Sequence, residues 1–142
     1  MRAGLPQDTP MTYLRESDLT VDQLSDAIVA AAESHGFGVL HQYDFQQILE
    51  KKGFPIDARC RVFEICNPRQ ASEVLAVDMA LNMALPCRVS VYEQGGRTVV
   101  GMIPPTELLA LVSDDDAIAA SAREVEAAMQ AMIDALATGG AG

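Results

Sequence analysis

Two cysteines stand where thiol chemistry is conceivable. Cys66 lies in Glu64–Gln70 (EICNPRQ), between an apolar alternating segment and the start of a predicted helix. Cys87 comes 21 residues later, after a proline, in Leu85–Val89 (LPCRV). A thiol must become a thiolate to attack or to bind a metal. Backbone N–H groups at a helix start favour negative charge, which predicts a lowered pKa for Cys66, with Arg69 or Arg88 adding to the effect. Cys87 would then be a partner thiol that resolves a disulfide, shares a metal or relays a persulfide sulfur. Packing is the competing reading, because free cysteine is among the most buried residue types and behaves as a small hydrophobe. On that reading Asn67–Pro68 only starts a helix and Leu85–Pro86 only shapes a strand entrance.

Other chemistry-bearing residues are fewer. Glu64 shares the predicted strand face of Cys66 and is a candidate base, although solvated or ion-paired carboxylates are the commoner case. His41 falls inside a predicted strand and could meet the cysteines in space; a lone strand histidine is more often structural or exposed. Cys60 lies six residues before Cys66, about 20 Å along a strand, and reads as packing. No C-x-x-C or H-x-x-x-H spacing signals a closed zinc site, although two cysteines per subunit could build a four-thiolate site across a dimer. Phosphate-loop, nucleophile-elbow and dinucleotide fingerprints are absent, and no motif identifies a cofactor or a catalytic constellation. Asp114–Asp116 reads as a helix-capping acidic turn before a cation site.

The elements that must position these residues are legible in the pattern. Thr20 and Gln23 have capping-box spacing ahead of a helix carrying Val21, Leu24, Ile28 and Ala31 on one face. Residues 37–43 read as a strand, and Asp44 as the N-cap of a short helix. Arg59–Cys66 alternates, with Arg61, Phe63 and Ile65 on one face and Cys60, Val62, Glu64 and Cys66 on the other. Asn67 and Pro68 open a helix reaching about Asp78. Two apolar runs, 87–93 and 98–103, flank Gln94–Arg97 as a hairpin. A short helical stretch opens at Thr106. A long helix then carries Ile118, Ala122, Val125, Met129, Met132 and Leu136 on one face, to be packed on a sheet or to serve as a short dimer seam. Residues 11–15 are a candidate first strand. Strand–helix–strand connections of this length suggest parallel pairing, whereas the hairpin is antiparallel.

Composition bounds the rest. The chain has 142 residues, 49% of them hydrophobic, which suits one domain with a sizeable core. A net charge of −10 with scattered Lys and Arg argues against nucleic acid and against an anionic membrane surface. No segment resembles a signal peptide or a membrane span, and three cysteines without framework spacing fit a reducing compartment, so a cytoplasmic protein is expected.

Taken together, GFGVLHQYDF, EICNP, LPCRVSVYE and a terminal P-x-x-L-L before a long helix resemble the bacterial and archaeal domain-of-unknown-function family 302. The resemblance spans roughly residues 11–138, expected as a single domain after a flexible arm (1–10) and before a frayed tail (139–142). It implies an α+β fold of the TATA-binding-protein-like type, in which long helices cover one face of an antiparallel sheet, with smaller helical insertions, and it implies a homodimer. It supplies no reaction. Antiparallel strands would bring Cys66 and Cys87 to the same end of the sheet. The expected function is a non-enzymatic module binding a small ligand or a protein partner, or acting in regulation. The alternatives are sulfur or redox handling through Cys66 and Cys87, and a structural dimer module. The candidate site comprises Cys66, Cys87, Asn67, Arg69, Arg88, Glu64 and His41.

Overall fold

A computed structural model describes residues 11–139. The expected arm and the end of the expected tail lie outside the described residues. Five strands form one antiparallel sheet: β1 (Tyr13–Ser17), β2 (Gly38–Asp44), β3 (Cys60–Cys66), β4 (Cys87–Gln94) and β5 (Arg97–Met102), in the order β1-β5-β4-β3-β2. The helices are α1 (Val21–Ser34), α2 (Phe45–Lys51), α3 (Pro68–Val77), α4 (Pro105–Ala110) and α5 (Asp116–Ala137), and a 3-10 turn spans Met79–Ala84. The fold is α+β.

Parallel pairing, suggested by the connection lengths, does not occur among the described residues. The α1 crossover carries the chain from one edge of the sheet to the other, so β1 and β2 never meet. Connections through α2, and through α3 with the 3-10 turn, return the chain antiparallel to the adjacent strand. The hairpin closes on Gly95 and Gly96, at φ 61° and 75°. Two consecutive positive φ angles match the right-handed twist of the flanking strands and suit glycine.

Alternation then sorts the sheet into two faces. Phe63, Ile65, Val89, Val91, Val100 and Met102 point to the covered face and pack with Leu24 and Ile28 of α1 and Met129, Met132, Ile133 and Leu136 of α5. A capping box at Thr20 starts α1 as its sequence requires, and the Asp115 carboxylate accepts the Ala117 and Ile118 N–H groups at the start of α5. Arg61 reaches from the covered face to Asp22 of α1 at 3.4 Å, and Arg59 also binds Asp22. A second, smaller core joins Val74 of α3, Leu81 of the 3-10 turn, Leu109 of α4 and Ile118 and Ala122 of α5.

Candidate functional site

The candidate residues divide between two places. Cys66, Asn67 and Cys87 line one small cavity of about 40 Å³ at the seam between the two cores. Its wall takes Phe37 and Ile65 from the main core and Val74, Leu109 and Ala122 from the second. Cys87 stands directly across from Ile65 on β3, and Cys66 is the next residue along. A cross-strand step and one residue of rise place their Cα atoms about 6 Å apart. Ideal alternation sends Cys66 toward the opposite sheet face, but its strand ends there and α3 begins, which lets it join the cavity wall.

The thiols are not activated. Burial pushes Cys66 up from the ordinary thiol value, and burial with the neighbouring Cys66 pushes Cys87 up to about 11. This reverses the lowered pKa expected from the helix start. The Asn67 side chain accepts the Gln70 N–H at 3.1 Å, and Gln70, itself buried, donates to Glu124 of α5 at 3.0 Å. The first turn of α3 is thereby occupied by its own cap. Arg69 supplies no charge to the thiols, because it is exposed and pairs with Glu73 one turn on at 2.9 Å. Among the described residues, no three metal-ligating side chains converge.

Glu64, Arg88 and His41 lie on the other face of the sheet. The register sets them in one row, with Arg88 opposite Glu64 and Glu64 opposite His41. Tyr43 donates to Glu64 Oε1 at 3.2 Å, and the Tyr43 ring meets His41 edge-on at 4.5 Å. That hydrogen bond and burial, together with the Glu64 charge, raise the Tyr43 phenol. His41 therefore belongs to the face opposite the main core and not to the cysteines. Cys60 pairs with Tyr92 at the far end of the same face, and burial raises its thiol too.

A groove of about 520 Å³ runs over this face beneath the 3-10 turn and α4. Its floor includes Ser90 and Gly101, directly paired, with Leu14 paired on the far side of Gly101. Arg88, Glu64 and Tyr92 edge the floor, and Met83, Leu85 and Leu108 wall it. Leu85 and Pro86 line both the groove and the thiol cavity. Sequence reasoning missed Ser90, Tyr43, Tyr92 and Gly101. The available signal was a serine and a glycine on the non-core phase of two strands predicted to form a hairpin, where side chains too small to fill a surface leave a depression.

The family model for the domain of unknown function DUF302 matches residues 13–136. The chain belongs to the DUF302 family. The crystal structure of an uncharacterized conserved DUF302 protein from Bacillus stearothermophilus is similar at a TM-score of 0.82 and 28% identity, covering 87% of this chain and 96% of that one. No curated protein matches. DUF302 membership agrees with the α+β architecture and supplies no reaction. No helix among the described residues is long and apolar enough to cross a membrane.

Proposed function

We propose that this DUF302 domain is a small-ligand-binding or regulatory module whose ligand occupies the groove on the sheet face opposite α1 and α5. The observation that carries this is the groove itself: about 520 Å³, with apolar walls and a few polar groups at its floor. Its volume falls in the range of small-molecule sites, which combine that kind of lining with sparse orienting groups. A regulatory output has a route, since Leu85 and Pro86 join the groove wall to the thiol cavity and to the start of β4. Homodimerisation and a protein partner belong to the same proposal, and sedimentation and copurification check them. Amide chemical-shift perturbation by a fragment library tests the groove. Shifts should cluster at Leu14, Arg88, Ser90 and Gly101; clustering elsewhere, or none, rejects it.

Sulfur or redox handling through Cys66 and Cys87 is the second reading. It is favoured by two thiols on one cavity wall and opposed by the upward shift of both. Iodoacetamide labelling against pH separates the two. A Cys66 that labels well below the usual thiol range would support the second reading.

A further inference from the structure

Resting on the groove as the binding site, the geometry points to its ligand class: we infer an anionic amphiphile, with its carboxylate, sulfonate or phosphate group on Arg88 and its apolar body along the groove wall. Arg88 and Glu64 are the two charged residues that line the groove. They face each other across β3 and β4, yet no ion pair joins them; the Glu64 carboxylate instead accepts the Tyr43 hydroxyl. Arg88 is exposed and makes no hydrogen bond or ion pair among the described residues. A guanidinium offers five N–H donors in a planar fork suited to two oxygens of one anionic group. Ser90, two residues along the same strand face, adds a hydroxyl to the same floor. Thr12 and Tyr92 add two more hydroxyls at its edge, and the rest of the lining is mainly apolar, from Leu14, Met83, Leu85, Pro86, Ile103 and Leu108. Met83 and Ile103 are both exposed large hydrophobic side chains, and both border the groove. Apolar walls with one uncommitted cation match an amphiphile with a single negative head. A purely apolar ligand would leave Arg88 without use, and a small inorganic anion would leave the walls without use.

Two fluorescent probes of nearly the same body test this. 8-Anilinonaphthalene-1-sulfonate (ANS) carries an anionic group, and N-phenyl-1-naphthylamine (NPN) lacks it. Wild type, Arg88→Gln and Ser90→Phe are titrated with each, after thermal melts show that the variants fold; Ser90→Leu replaces Ser90→Phe if that one does not. Wild type should bind ANS saturably at one site and more tightly than NPN, with added salt weakening ANS alone. Arg88→Gln should weaken ANS by about tenfold or more, the effect of losing one charge-assisted contact, and leave NPN unchanged. Ser90→Phe should weaken both probes. If Arg88→Gln weakens both probes equally, or neither, the ligand class is wrong while the groove stands. If Ser90→Phe leaves both unchanged, the groove itself is wrong. A wild type that binds neither probe and is dimeric, with Ser90→Phe monomeric, would show a second copy on this face and overturn both.

Discussion

Cys87 faces Ile65 across β3 and β4, and Cys66 stands one residue beyond Ile65, so both thiols meet one apolar cavity at the seam of two cores. That neighbourhood disfavours thiolate. At neutral pH Cys87 should label with iodoacetamide far more slowly than a free thiol. Its rate should climb only as pH approaches about 11. Cys66, which burial alone raises, and to a lesser degree, should label ahead of it. Mass spectrometry of peptides after timed quenching reads both rates. A Cys87 that labels as fast as a free thiol would contradict the burial that shifts it.

The same shift has a stability consequence. The folded Cys87 pKa is raised from 9.0 to about 11, so the folded state holds its proton where the unfolded state has lost it. The stabilising contribution of the buried neutral thiol is present in full below about pH 9 and is lost as pH rises through about 11. Urea midpoints of wild type should therefore fall across this window. Cys87→Ala should show a shallower fall. Parallel curves for the two proteins would assign the alkaline loss to other groups, such as Tyr92, whose phenol burial also raises.

The local elements were legible because each is written in short-range signals. Thr20 with Gln23, Asn67 with Pro68, and Gly95 with Gly96 name a capping box, a helix start and a hairpin turn that the fold contains. Strand direction was not legible, since a helix between two strands is compatible with return to a neighbour or passage to the far edge, and only packing decides. The candidate site dissolved for a related reason. Glu64 and Cys66 share a phase in the sequence, but β3 ends at Cys66, and the turn into α3 brings its thiol to the cavity while Glu64 stays with the opposite face. Arg69 looked like a charge for Cys66, yet helical spacing hands it to Glu73.

Asn67 couples the helix start to the cavity. Asn67→Ala removes the acceptor for the Gln70 N–H and should cost about 1 kcal/mol, the usual effect of a lost N-cap. Fraying of the first turn of α3 should also speed Cys66 labelling without changing Cys87. Denaturant unfolding and the same labelling assay measure the two effects together. A loss of stability with unchanged Cys66 labelling would mean that Cys66 is held by β3 alone.

Tyr43 and Glu64 form a polar pair on the sheet face opposite the main core. A neutral phenol donating to a carboxylate is stabilised, and the negative charge nearby opposes phenolate. Tyr43 should titrate above the ordinary value of 10.0. Glu64→Gln should bring it back down, since the amide carries no charge. Ultraviolet titration of the three tyrosines, with Tyr43→Phe to assign the signal, checks this. An unchanged Tyr43 titration in Glu64→Gln would separate the two side chains in solution.

Gly101 is the position where the groove floor depends on having no side chain. A Cβ there would overlap the Leu14 side chain and stand 2.9 Å from the Tyr13 carbonyl oxygen. Both belong to β1, which pairs with β5 through Leu14 and Gly101 at the sheet edge. Alanine must therefore push β1 away or force Leu14 from its rotamer, an overpacking cost of about 1–3 kcal/mol. Leu14 also lines the groove, so its displacement should alter ligand binding as well as stability. Pairing Gly101→Ala with Leu14→Ala separates the causes. If the glycine is required by Leu14 alone, the double variant should lose less stability than the two single changes summed. A fully additive pair would place the constraint on the Tyr13 backbone instead. Unfolding free energies of the four proteins decide between these outcomes.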